Sequence, residues 1–107
     1  MTMPERNIEL LQQTMQHILD HPEQHDQTIW MNECRTVACF AGWTCLLSGQ
    51  VSSYWVFIPN RAIDLLGLTE DEANILFSER NTIPQLQLMV KDLVNGDELN
   101  IERYLAE

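Results

Sequence analysis

The stretch Thr36-Val37-Ala38-Cys39-Phe40-Ala41-Gly42-Trp43-Thr44-Cys45-Leu46-Leu47-Ser48, followed by Gly49, decides the fold. It carries no charge and is apolar on nearly every side of a helical projection. A helix with no polar face has to be buried on all sides, so the pattern predicts a central helix over 36–48. Thr36 suits its N-cap and Gly49 its C′ position. One face is small (Ala38, Ala41, Gly42, Cys45) and the opposite stripe is large (Phe40, Trp43, Leu47). The distance between packed elements depends on side-chain bulk at the contact, so the small face invites a neighbouring backbone to approach closely. Gly42 costs about 1 kcal/mol of helix propensity relative to alanine. Close packing is the compensation expected.

Toward the N-terminus, Ile8, Leu11, Met15, Ile18 and Leu19 recur at helical spacing from Pro4 to Asp20, and Pro22 stops the pattern. Residues 21–28 read as a polar loop. Trp30 and Met31 are expected to bring the chain back to the core. Toward the C-terminus, residues 50–58 (Gln-Val-Ser-Ser-Tyr-Trp-Val-Phe-Ile) are rich in β-branched and aromatic side chains and favour a short extended segment or hairpin. A short helix over Arg61–Leu66 then closes at Gly67. Thr69 with Glu72 three residues on is a capping box that starts a helix through Phe77. Thr82-Ile83-Pro84 opens a longer helix closed by Gly96, and a last turn or helix spans about Glu98 to Leu105.

The class that follows is all-α: a compact bundle of five or six short helices around the buried helix 36–48, read as a single helical domain over residues 1–107. The 107 residues suit one domain, and 45% hydrophobic content supports a core. No heptad pattern persists long enough for a coiled coil. Sixteen acidic against six basic residues give a net charge of −10. Direct nucleic-acid binding and docking on anionic membrane both need a basic footprint, which this balance does not supply. No apolar run approaches the roughly 20 residues of a membrane helix. The N-terminal residues do not read as a signal peptide. Three cysteines without one point to a reducing, cytoplasmic setting.

Trp30, the run Cys34-Arg35-Thr36-Val37-Ala38-Cys39-Phe40-Ala41-Gly42-Trp43, Gly49, the run Ala62-Ile63-Asp64-Leu65-Leu66-Gly67-Leu68, and Glu72-Ala73 with Leu76-Phe77 form a pattern. It resembles a loose group of small, uncharacterised proteins of phages and bacteria that share a Cys-x-Thr-x-x-Cys-x-Ala-Gly core and an Ala-x-x-Leu-Leu-Gly-Leu helix. The resemblance spans residues 27–78, about half the chain. It implies a helical phage accessory protein or bacterial cytosolic protein, and no activity.

Three constellations could carry chemistry. With Thr36 as N-cap, Cys39 falls in the first helical turn, where backbone N–H groups and the helix dipole favour a thiolate. His17, His21 or His25 would supply a base, and Asp26 or Glu33 would orient it. The plainer reading makes Cys39 a small packed residue whose burial raises its pKa. His17 and His21, four residues apart, could join Cys34 and Cys39 as four tetrahedral zinc ligands and give a zinc-stabilised structural domain; otherwise the histidines simply flank the Pro22 stop. A Cys34–Cys39 disulfide would run against a reducing compartment.

The acidic run Glu70-Asp71-Glu72, with Asp97 and Glu98, is either a solvated face or a surface that docks a basic partner. The aromatics Tyr54, Trp55 and Phe57 are either core or interface anchors, since Trp and Tyr dominate binding hot spots. Weighed together, these features lead to a small acidic protein-binding module acting by contact and surface occlusion rather than catalysis. It would be a phage or bacterial accessory factor able to block a basic, nucleic-acid-binding host protein. A homodimer through 54–58 is compatible with this reading, and no cofactor is implied. The competing class is an enzyme built on Cys39 and a histidine.

Overall fold

The structure, a computed structural model, describes residues 6–34, 36–49 and 58–105. The described residues form six α-helices and no strand: α1 (Ile8–Asp20), α2 (Phe40–Ser48), α3 (Ile58–Leu66), α4 (Glu70–Leu76), α5 (Ile83–Val94) and α6 (Ile101–Leu105). A 3-10 turn at Pro22–Gln24 follows α1. The all-α class expected from the sequence is what the chain adopts.

Helix α1 begins at Ile8, and Pro4, the expected first-turn residue, lies outside the described residues. Asn7 is its N-cap and accepts the Leu10 N–H through its side-chain oxygen, at 3.1 Å. The backbone N–H of Asn7 donates to the Leu66 carbonyl at 2.8 Å, so the start of α1 caps the end of α3. Leu10, Leu11, Met15 and Ile18 are buried, while Ile8 and Leu19 of the same periodic set remain at the surface.

Helix α2 is buried as its composition demands: Phe40 to Cys45 are all buried. Only its last turn emerges, with Leu47 exposed. Gly49 ends it in the left-handed region at φ 75°, and its N–H reaches the carbonyls of Cys45 and Leu46. Thr14 of α1 and Thr44 of α2 are both fully buried, and their hydroxyls meet at 3.2 Å. Each lies within reach of a carbonyl one turn back on its own helix, Leu10 and Phe40 respectively. A hydroxyl has one proton, so one of the pair donates across the helices while the other donates to its own carbonyl.

The start of α2 corrects the expected boundary. The helix begins at Phe40 with Cys39 at the N-cap, not at Thr36. Asn32 captures the stretch before it. Its side-chain oxygen accepts the N–H groups of Thr36 and Val37, and its amide donates to the Thr36 hydroxyl at 2.9 Å. The Thr36 oxygen is thereby turned away from capping. Ala38 sits in isolated bridges with His25 and Met31, which keep the chain extended up to Cys39. Local competition for backbone donors thus takes four residues from the predicted helix.

The small face of α2 meets the predicted kind of neighbour. A Cβ on Gly42 would lie 1.8 Å from the Trp30 carbonyl oxygen and 2.8 Å from the Ala38 Cβ. The loop backbone therefore crosses α2 at a distance only glycine permits. Met31 is buried as expected, but Trp30 does not return to the core: it lies at the surface, 37% exposed, because its backbone rather than its ring fills the glycine notch.

Helices α4 and α5 both carry complete capping boxes, Thr69 with Glu72 and Thr82 with Gln85. Arg6 ties three elements together: it donates to the Leu93 carbonyl at the end of α5 and pairs with Glu72 of α4. The predicted extended segment 50–58 lies outside the described residues, except that Ile58 is the first residue of α3. Helix α3 is accordingly longer than the expected Arg61–Leu66, with Pro59 in its first turn, where a missing N–H costs nothing.

Candidate protein-interaction surface

The Cys39 site is closed. Cys39 is 1% exposed, and its thiol lies 3.8 Å from the Trp30 carbonyl. The N–H groups of the α2 start do favour its thiolate, but burial outweighs them and pushes the thiol up to about 11. Of the two readings of Cys39, the packed residue with a raised pKa holds, and the activated thiolate at the third helical position does not. Cys39 is the N-cap, and desolvation dominates. Burial likewise raises Cys45 to about 11. Asp26, a candidate to orient a base, instead closes a turn by accepting from the backbone N–H and hydroxyl of Thr28, which lowers its pKa.

The three histidines are placed apart in role. His17 packs its ring on Trp43 with centroids 4.1 Å apart and reaches Gln24 Oε1 at 3.2 Å. His21 faces Glu23. His25 Nε2 lies 2.8 Å from Gln27 Oε1. Gln27 turns its amide nitrogen to the Leu76 and Ser78 carbonyls, so its oxygen faces His25 and His25 Nε2 carries the proton. The same oxygen accepts the Phe40 N–H at 3.2 Å and so caps α2 from a distance. Gln27 therefore joins the loop, the start of α2 and the end of α4. Cys34 is exposed. No group of three or more His, Cys, Asp or Glu among the described residues is placed to hold a metal ion, so the His17, His21, Cys34 and Cys39 set is not brought together.

The acidic candidates fare differently. Two adjoining clefts, of 390 and 430 Å³, share Ile75, Glu98 and Leu99. Asp71 of α4 lines the first, and Ile101 and Glu102 of α6 line the second. Three chain segments thus put Asp71, Glu98 and Glu102 around an apolar floor of Ile75, Leu99 and Ile101. Glu70 and Asp97 are exposed beside this group but line neither cleft. Tyr54, Trp55 and Phe57 lie outside the described residues.

Helix α6 is held in place from below. Asp92 is buried on α5 and accepts from Arg103 at 2.6 Å and from the Tyr104 hydroxyl at 2.7 Å. Gln85 donates to the Tyr104 carbonyl at 3.1 Å. Burial and the Asp92 hydrogen bond raise the Tyr104 phenol to about 12, so it stays the donor. Ile101 and Leu105 remain on the outer face, 52% and 72% exposed.

Sequence reasoning missed Ile75, Leu99, Ile101 and Leu105 as surface candidates. A signal was present. Ile75 is out of phase with the buried pair Ala73 and Leu76, and Ile101 and Leu105 flank the buried Tyr104. Apolar residues off the core stripe of a short helix mark a second face.

A depression of 650 Å³ between α1 and α5 carries Glu9 and Lys91, whose charges cancel, among glutamines, Asn95 and the apolar Met15, Leu19, Val90 and Val94. It offers no charge pattern to choose a ligand. No family model, no curated protein and no solved structure matches the chain.

Proposed function

We propose that this chain is a protein-binding module that works by contact and occlusion, with a basic protein surface as its target. One observation carries the reading: acidic side chains from α4, the 97–100 segment and α6 converge on a shared apolar floor at Ile75, Leu99 and Ile101. A solvated acidic face needs no apolar centre. An interface does, because apolar contact supplies affinity while charge supplies steering and partner choice. The net charge of −10 adds a long-range field that draws in cations and repels nucleic acid.

The resemblance to small phage and bacterial proteins fits an accessory role, in which the acidic face imitates phosphate and occupies the nucleic-acid site of a basic host protein. The alternative of a Cys39-based enzyme draws less support from a thiol that burial keeps protonated at neutral pH.

The test is co-purification of the tagged protein from its host at low and high salt. A basic partner retained at low salt, released at high salt and lost with the triple variant Asp71→Asn, Glu98→Gln, Glu102→Gln is the expected result. Retention of the same partners by the triple variant rejects the reading.

A further inference from the structure

We infer that the pocket between α4, α5 and α6 takes one bulky apolar side chain of the basic segment, so that the recognised motif is bipartite: an apolar anchor beside a cluster of lysine or arginine. The inference rests on the binding reading above and locates its specificity. The pocket measures 390 Å³, within the roughly 300–1,000 Å³ usual for ligand sites. Its floor is Met89 and Tyr104, and its walls are Ile75, Ile101 and Leu105.

Two of those walls, Ile75 and Ile101, also belong to the acidic clefts, so pocket and acidic rim form one continuous surface. Two polar side chains of the pocket lining are already engaged. The Asn81 amide donates to the Ile75 and Leu76 carbonyls, and Gln85 is bonded to Thr82 and Tyr104. What the pocket offers a guest is mainly apolar area, with Asn74 and Arg80 at its polar edge.

Charge fixes the direction of the guest. Arg80 stands on the pocket side and Asp71, Glu98 and Glu102 on the other, where the lining cation Arg6 is paired with Glu72, so the cationic part lies over the acids and the anchor over Met89. A second copy of the chain would bring another −10 to the same face and is a poor occupant.

The experiment titrates ¹⁵N-labelled protein with two peptides, six lysines alone and the same peptide preceded by Phe-Gly, and repeats this on the double variant Ile101→Ser, Leu105→Ser. Both replaced residues are exposed, and the fold of the variant is checked by its amide spectrum. The expected result is that the anchored peptide binds the native protein at least tenfold more tightly, moves the amides of Asn74, Ile75, Ile101 and Leu105, and loses its advantage on the variant. Equal binding of both peptides around Asp71 and Glu98 overturns the anchor pocket and leaves the basic-partner reading standing. So does an advantage that survives in the variant, or shifts that fall in the α1–α5 groove. Binding of neither peptide removes the basic-partner reading itself, and the inference with it.

Discussion

The loop from Gln24 to Cys39 and the α4–α6 face both show apolar side chains to solvent, and they hold them in opposite ways. In the loop, Ile29 and Trp30 are each 37% exposed, but the backbone around them is tied at several points. Asp26 donates to the Ala38 carbonyl, Asn32 to that of Val37 and Cys39 to that of Ile29, while Gln27 makes four further bonds. On the α4–α6 face the exposed residues belong to a five-residue helix fastened mainly through Asp92 and Gln85. Backbone bonds and buried contacts set local stability. The loop is therefore built as the fixed bed of α2, and the α4–α6 face as a surface whose side chains can adjust to a guest.

The largest effect expected from that contrast is at Gly42. Replacing it by alanine puts a methyl 1.8 Å from the Trp30 carbonyl oxygen, a backbone atom held by the loop's own bonds. Overpacking of this kind costs about 3 kcal/mol or more, and the gain in helix propensity of about 1 kcal/mol returns only part of it. Thermal denaturation should show a fall in Tm of about 10 °C or more. An unchanged Tm would mean that the loop can lift from α2, and the contrast with α4–α6 would collapse.

Gln27→Ala comes next. It strips the Phe40 N–H of its partner and takes one of two donors from each of the Leu76 and Ser78 carbonyls, which keep Asn81. The buried Phe40 N–H left unpaired costs about 2 kcal/mol, within the roughly 1–3 kcal/mol of such a group. Urea denaturation should give that loss, and hydrogen exchange should place it at the start of α2 and the end of α4 rather than at α6.

How far the chain could be read in advance follows the same division. Amphipathic periodicity and capping residues act within a few positions, so α4 and α5 were legible at Thr69, Glu72 and Thr82, and the close approach at Gly42 was legible from the small face of α2. The start of α2 was not. Thr36 has the right chemistry for an N-cap, but Asn32 and the Ala38 bridges take the backbone first, and the cap comes from Gln27, thirteen residues away from Phe40. The two readings of Cys39 could not be separated along the chain for a related reason. Position in a helix predicts the dipole's effect, whereas desolvation depends on what the rest of the chain lays over it. In the acidic surface, the charges were visible at Asp71 and Glu98. Their apolar floor required knowing that α4, the 98–100 segment and α6 line adjoining clefts.

Alkaline titration sharpens the comparison with a smaller effect. Cys39 and Cys45 rise from 9.0 to about 11 on folding, and Tyr104 from 10.0 to about 12. A raised pKa means that the folded state holds its proton longer than the unfolded chain. The stabilisation is complete below the unfolded value and is lost as pH rises toward the folded one. Stability should thus begin to fall above pH 9 through the cysteines on and beside α2, and above pH 10 through Tyr104 on the buried side of α6. A net loss on the order of 1 kcal/mol by mid-range is expected. Thiol labelling at pH 8 gives the companion measurement: Cys34 reacts at once, and Cys39 and Cys45 react only at the rate of opening. Three fast thiols would show that the bed of α2 is open.

The smallest stability change belongs to the double variant Ile101→Ser, Leu105→Ser. Both side chains are mostly in water, so their loss should alter the folding free energy by less than about 0.5 kcal/mol, as for surface substitutions remote from packed features. Structural apolar residues cannot be removed so cheaply, because their area is buried in the folded state and exposed in the unfolded one. Ile101 and Leu105 are exposed in both. A near-neutral urea midpoint, set beside the large loss at Gly42, would separate a face that the fold can do without from a crossing that it cannot. A loss above about 2 kcal/mol would instead place these two residues in the packing that holds α6 over Asp92, and the α4–α6 face would then be scaffold like the loop.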